Sequence, residues 1–400
     1  MEFFSDMVQK TKLQEILKLH GDFSARFCGH VLQLLMENSD SKENIALSTA
    51  RLQAVLVLIA NWTTPEIRKQ ILSMAVGENI TLDEANLLFD FANVKPIPDE
   101  NVIVWDDDGN PVSLTPTLEQ QTTLWYKNGL TFNENAIEKM KSAFNACARA
   151  VNFADPKTKD IIDKTVRKAT HDLIPHLDAN IDALTRSLIV DILYFKGSWR
   201  DQFYEENTAE RIFYGTQGKK KVPTMHRQGR MDYKETPVYQ AVNLLYTCVS
   251  ANHKQFAMRI YLPVGEHTIS DVLEEMRKAE YKFSSKFEEV DLSLPRFEVT
   301  SRLDLTALLK SMGMSCLFES ENIIPECIEG SQMADIVQQV KVKVDENGTE
   351  AAAVTCCSVG CLWYEKPHPK VMKVNKPFLF EIVEETTNTV LFSGVINNIE

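Results

Sequence analysis

Basic residues are the minority charge in this chain, 43 Lys and Arg against 56 Asp and Glu, for a formal net charge of −13. That balance argues against general binding to nucleic acid or to anionic lipid, both of which need a cationic surface. Long apolar runs are missing too. The best stretch, Leu52 to Trp62, is too short to cross a bilayer. The first residues, Met1-Glu2-Phe3-Phe4-Ser5-Asp6, have neither the basic start nor the apolar run of a signal peptide. The expectation is a cytoplasmic protein, or an extracellular one whose signal has been removed, with no membrane or nucleic-acid partner.

Recognisable catalytic motifs are also lacking. There is no Gly-x-Ser-x-Gly elbow, no His-Glu-x-x-His, no Gly-x-Gly-x-x-Gly and no Walker loop. Gly218-Lys219-Lys220-Lys221 reads as a basic hairpin turn. Cys28, Cys147, Cys248, Cys316 and Cys327 are scattered singly, as free buried thiols would be. Cys356, Cys357 and Cys361 with His368 are the nearest thing to a zinc set, but adjacent strand cysteines point to opposite faces. Asp106-Asp107-Asp108-Gly109-Asn110 lacks the ligand spacing of a calcium loop and reads as a solvated turn. No metal and no cofactor are expected, and an enzyme is the weak hypothesis.

What the chain does have is ordinary globular composition, 44% apolar and 25% charged. Phe23, Phe27, Val31 and Leu34 or Leu35 recur at helical spacing, and Met7, Leu13 and Leu17 suggest a separate lead-in helix over residues 1–20. Asn44–Leu47 predicts a short strand, after which Ser48 caps an apolar helix to about Ala60. Further helices are expected at Leu82–Phe91, Glu134–Ala148, Lys157–Ile174, Ile269–Lys278 and Ser301–Met312. Ser187–Phe195 is almost wholly apolar, the mark of a central strand buried on both faces. Strands dominate the second half, and no repeat or linker divides the chain. The reading is one α+β domain spanning 1–400 with large, mostly antiparallel sheets. Three sequons occur, at Asn61, Asn79 and Asn347, and chance is the better reading for the first and the last.

One stretch, Val342 to Pro369, is patterned unlike the rest. Val342 and Val344 alternate with Lys343 and Asp345 as a strand does, and Gly348 then supplies a hinge. Counting in twos from Thr349 gives Thr349, Ala351, Ala353, Thr355, Cys357, Val359 and Cys361, all small and uncharged; Glu350 falls on the other face. Such a segment is able to be either a central strand or an exposed loop, which makes it a candidate switch.

Glu346-Asn347-Gly348-Thr349-Glu350-Ala351-Ala352-Ala353-Val354-Thr355 resembles the hinge of an inhibitory serpin. The resemblance extends, in the family's order, through Asp191–Trp199, Val222–Met225, Tyr261-Leu262-Pro263, Leu294–Phe297, Lys376–Phe380 and Leu391–Gly394. It implies a serpin fold of three β-sheets, about nine helices and an exposed reactive loop over 346–369. It also implies a monomeric suicide inhibitor of a serine or cysteine endopeptidase. The hinge residues would be Glu346, Gly348, Thr349, Glu350, Ala351, Ala352 and Ala353. Family spacing from Glu346 puts the scissile bond at Leu362-Trp363, while spacing back from Asn375-Lys376-Pro377 puts it at Lys366-Pro367. Leu362-Trp363 is preferred, with Tyr364 and Lys366 in reserve, and points to a chymotrypsin-, elastase- or subtilisin-like target. The alternative is a non-inhibitory member serving as a chaperone, carrier or storage protein.

Several positions depart from the family's pattern. Ser48-Thr49-Ala50-Arg51 stands for Ser-Pro-x-Ser, Asp191 for an Asn, Gln338 for a sheet His, Thr165 for a Trp and Trp62 for a Gly. Ser48, Arg51, Asp191 and Gln338 belong to the shutter, where the sheet must part. Arg51 and Asp191 are expected to form a buried ion pair with Gln338 as third partner. The region where some members bind heparin aligns with acidic Glu78–Asp90, so no such cofactor is expected.

Overall fold

A single helix of 37 residues, α1 (Glu2–Asn38), opens the structure. The separate lead-in helix read from the sequence is therefore the first half of α1. The computed structural model describes residues 2–38, 42–92, 96–99, 104–105, 111–112, 114–131, 133–177, 181–278, 283–319, 324, 335–349 and 368–400. No described helix is long and apolar enough to cross a membrane.

β1 (Ile45–Leu47) leads into α2 (Thr49–Ala60), buried at every position and capped by Ser48, whose Oγ accepts from the Arg51 amide at 3.2 Å. Pro65 starts α3 (Pro65–Ala75), where its missing N–H is no loss, and α4 (Leu82–Ala92) follows. A ribbon of β2 (Val104–Trp105) and β3 (Pro111–Val112) precedes β4 (Thr117–Lys127). Then come α5 (Glu134–Phe144), β5 (Ala146–Val151), α6 (Lys157–Ala169) and β6 (Ser187–Ser198). The helix expected through Ala148 stops at Phe144 because Asn145 turns left-handed, with φ +47°, and its side-chain amide donates to the Gln120 carbonyl at 2.6 Å. Ala146–Ala148 are thereby delivered to the sheet.

The second half runs β7 (Ala209–Gly215), β8 (Gly218–Glu235), β9 (Tyr239–Leu245), β10 (Phe256–Pro263), α7 (Ile269–Arg277), β11 (Lys286–Pro295) and β12 (Phe297–Asp304). α8 (Leu305–Ser311) and α9 (Cys316–Glu319) precede β13 (Asp335–Asp345), β14 (Gly348–Thr349), β15 (Lys370–Lys373), β16 (Phe378–Glu384) and β17 (Thr389–Ile396). Ser301–Asp304, expected to begin a helix, instead finish β12. α8 starts only where the Asp304 carboxylate accepts from the Thr306 and Ala307 amides.

Six strands form one sheet in the order β12-β13-β14-β6-β4-β5. Nine form a second hydrogen-bonded set, β1-β17-β16-β10-β9-β8-β11-β15, with β7 on β8. The 18-residue β8 serves both ends of that set, pairing β7 and β11 along most of its length and β9 only at Asp232–Glu235. It is the seam between two of the three sheets that the resemblance implies.

β6 is buried on both faces, as its composition predicts. Leu193 and Phe195 join Val340, Val342 and Val344 of β13 against Phe378 and Phe380 of β16. Val190 and Ile192 pack instead with Val337, Trp125 and the Ile162 and Val166 side chains of α6, which lies across the six-stranded sheet. Trp62 is buried where the family has Gly, and Thr165 on α6 bonds the Ile161 carbonyl where the family has Trp. Of the three sequons, Asn61 is buried and bonded to Val57 and Asn86, Thr349 is buried, and Asn79 is exposed.

His20 of α1 is fully buried, edge-on to Phe89 at 5.7 Å, and neither ring nitrogen has a hydrogen-bond partner among the described residues. Burial pushes its pKa down to about 4. The folded state then refuses a proton that the unfolded chain accepts below about pH 6.5. Stability at neutral pH is untouched, and on the order of 3 kcal/mol is lost as pH falls from 6.5 to 4. His20→Leu is expected to flatten this slope in denaturant titrations at pH 7, 5.5 and 4.5; parallel curves for both proteins would count against it.

Candidate functional site

The end of β13 folds back on itself at Glu346-Asn347, and the two residues of β14 enter the six-stranded sheet. Thr349 pairs with Val344 of β13 on one side and Gly197 of β6 on the other, and Gly348 with Asp345 and Ser198. β13 and β6 pair directly, in parallel, over Asp335–Gln338 and Leu188–Asp191. Two strands in direct contact at one end are thus separated at the other by the hinge.

Only glycine fits at the entry. Gly348 has φ +146°, and a Cβ there would lie 2.1 Å from the Gly197 carbonyl oxygen and 2.9 Å from the Ser198 Cα. Thr349 behind it is 2% exposed, and its hydroxyl meets the Tyr246 hydroxyl at 2.6 Å. Burial drives the Tyr246 pKa well upward, so the phenol stays neutral as a partner for Thr349. Trp199 stacks on Tyr246 at 4.6 Å and binds the turn twice, its amide donating to the Asn347 carbonyl and its Nε1 to the Asp345 carbonyl, at 2.9 and 3.0 Å.

Glu346 anchors the base of this turn. Arg296 Nε donates to both of its carboxylate oxygens, at 2.9 and 2.8 Å, and the Thr208 hydroxyl donates to Oε1. Burial opposes ionisation of Glu346, but the Arg296 and Thr208 hydrogen bonds outweigh it and hold the carboxyl below its ordinary pKa. Gly348→Ala is expected to expel β14 from the sheet, loosening it by roughly 1–3 kcal/mol. The amide of Trp199 would then exchange with deuterium faster, while those of Leu188–Asp191 would not.

At the other end, where β13 and β6 pair, the N-terminus of α2 grips both strands. The Arg51 and Asp191 side chains are 2% and 0% exposed, with Nη2 donating to Oδ1 at 2.7 Å and Nε to Oδ1 and Oδ2 at 3.1 and 3.3 Å. Nη1 donates to Gln120 Oε1 at 2.9 Å and Nη2 to Thr122 Oγ1 at 2.6 Å, both on β4. The Thr122 hydroxyl donates in turn to Asp191 at 2.8 Å. The ion pair expected from the sequence is present, but Gln338 is not its third partner. Gln338 stands opposite Asp191 in the ladder, and its amide matches the backbone of Ser48 instead: Nε2 donates to the Ser48 carbonyl at 3.1 Å and Oε1 accepts from the Ser48 amide at 2.7 Å. Gln120 and Thr122 carried no sequence signal of their own, because only the β4–β6 register brings them to Asp191.

Glu350, Ala351, Ala352 and Ala353 of the hinge, and Leu362, Trp363, Tyr364 and Lys366 around the bait, lie outside the described residues, as do Cys356, Cys357 and Cys361. Cys327 and Asp106–Asn110 lie outside them as well. Cys28, Cys147, Cys248 and Cys316 are free thiols as expected, but of these Cys28 alone is buried and the other three are partly exposed.

Residues 23–399 match the family described as Serpin (serine protease inhibitor). Iripin-5 of Ixodes ricinus is 31% identical over 68% of this chain and 69% of its own. Serpin-ZX of Arabidopsis thaliana is 24% identical over 96% of this chain and 98% of its own. Among solved structures, Arabidopsis AtSerpin1 in its native stressed conformation superposes with a TM-score of 0.80 at 21% identity, covering 96% of this chain and 98% of that one. Thyroxine-binding globulin in complex with thyroxine gives 0.76 at 20% identity, covering 96% and 99%.

Proposed function

The chain belongs to the serpin family, and from that premise we propose that it inhibits an endopeptidase by trapping it on its own loop. A chymotrypsin-, elastase- or subtilisin-like protease attacks the carbonyl of Leu362. Its nucleophile forms an acyl bond there and the Leu362-Trp363 peptide bond breaks, with the proton passing to the leaving amine. The freed loop then continues the path that Gly348 and Thr349 begin, adding a strand between β13 and β6. Strand addition of this kind satisfies a full row of backbone donors and acceptors at once, and serpin loops are a standard instance of it. The acylated protease travels with the end of the strand.

One observation carries this reading: Thr349 already occupies a strand position between β13 and β6, buried and paired on both sides. The residues due to follow on that face are Ala351, Ala353 and Thr355, none of which brings bulk or charge. The deciding experiment incubates the protein with a panel of serine and cysteine proteases and looks for a covalent complex that survives SDS. Cleavage in the loop without any complex would turn the reading to the carrier or chaperone class.

A further inference from the structure

Between α1 and α3 lies a cleft of about 740 Å³, with the turn from α8 to α9 as its third wall. That volume is in the range of small-molecule sites. Along α1 the wall is Phe23, Arg26, Phe27 and His30, one helical face at spacings of three and four. Phe23 and Phe27 have the spacing of a core stripe, yet only Phe27 is buried and Phe23 is left partly exposed. Their rings stack, with centroids 5.9 Å apart and planes 21° from parallel. Met74 of α3 and Met312 and Met314 of the turn complete the apolar lining.

The charge at the cleft is of one sign. Among the described residues no carboxylate lines it, although the chain as a whole carries −13. Lys69 of α3 is exposed and has no hydrogen-bond or ion-pair partner among the described residues. Arg26 faces it from α1. Burial, and then the Arg277 guanidinium, hold His30 below its ordinary pKa, so the lasting positive charge is that of Lys69 and Arg26.

We propose that this cleft binds a long-chain carboxylate, its alkyl chain lying on the Phe23–Phe27 pair and its headgroup held by Lys69. Unbranched thioether side chains adapt to an unbranched alkyl chain. An ammonium without a partner gains a charge-assisted hydrogen bond from the carboxylate, and Arg26 adds a second positive charge from the facing helix. The net charge of −13 repels an anionic bilayer, so the ligand is the free acid and not a membrane lipid. The site goes beyond the inhibitory reading and stands without it.

Cys316 supplies a reporter. It is partly exposed, and its thiol lies 3.7 Å from Oε1 of Gln70, which lines the cleft. The test titrates dodecanoate and dodecyltrimethylammonium, below their micelle concentrations, into the protein in a calorimeter and follows alkylation of Cys316 by peptide mapping. Dodecanoate is expected to bind at one site, at least about tenfold tighter than the cation of equal chain length, and to slow alkylation of Cys316 but not of Cys147. Lys69→Glu should weaken binding about tenfold without moving the thermal midpoint, Lys69→Arg should keep most of it, and Met74→Gln should weaken it severalfold. Equal affinity for the two amphiphiles, or unchanged affinity in Lys69→Glu, would overturn the headgroup contact and the proposal with it. So would no binding at millimolar dodecanoate, or binding that leaves Cys316 unprotected. Co-sedimentation with phosphatidylserine vesicles would overturn the free acid as the source.

Discussion

Asp191→Ala is expected to lower the unfolding free energy by about 3–5 kcal/mol, the usual cost of leaving one member of a buried pair unmatched. The Arg51 guanidinium would keep its bonds to Gln120 and Thr122 but lose the three it makes to Asp191. With its side chain 2% exposed, it has no solvent to replace them. Arg51→Ser with Asp191→Asn removes both charges and restores the residue types that the family pattern carries. That pair should regain much of the loss, because the buried carboxylate and guanidinium then disappear together. Urea titrations of both single variants and the double give the coupling, expected to be well above 1 kcal/mol. Additive losses would mean that the two side chains are independent despite the 2.7 Å contact.

Thr349→Arg is expected to abolish trapping while sparing cleavage. The hydroxyl sits against Tyr246 in a site with no carboxylate partner on either neighbouring strand pair, Val344 or Gly197. Seating a guanidinium there costs several kcal/mol unless the hinge withdraws. Each 1.4 kcal/mol is about tenfold in the competition between insertion and hydrolysis, so the partition should shift by at least about a hundredfold toward cut product. Thr349→Ser keeps the hydroxyl and should still trap. Gels read against protease concentration separate the outcomes, and full complex yield from the Arg variant would sink the insertion mechanism.

Much of this was legible in residue order. The apolar run of Ser187–Phe195 announces a strand buried on both faces, and α6 on one side with the β16 phenylalanines on the other supplies the reason. Ser48 reads as a cap, and Arg51 with Asp191 reads as a pair because both stand where a neutral residue is usual. Two features that were missed share a physical cause, since both depend on a partner distant in sequence. Gln120 and Thr122 look like ordinary strand polar residues until β4 is laid against β6. Ser301–Asp304 is helical by periodicity, yet β13 draws it into an edge strand, opposite Val337–Val340. The hairpin of β7 and β8 is local and falls where the sequence reads as a basic hairpin turn, but the turn is at 216–217 and Lys219, Lys220 and Lys221 are ladder residues beyond it.

The four-residue ladder between β13 and β6 has a kinetic meaning. In the proposed insertion, successive residues of the new strand would bond alternately to β13 and to β6, whereas parting the ladder breaks direct pairs at only four levels, Asp335 to Gln338. The cost is therefore concentrated in one short zone, with Ser48 and Arg51 at its edge. A barrier gathered in one place sets a clock. On the proposed mechanism it would fix how long the uncut chain can wait, without fixing where it ends.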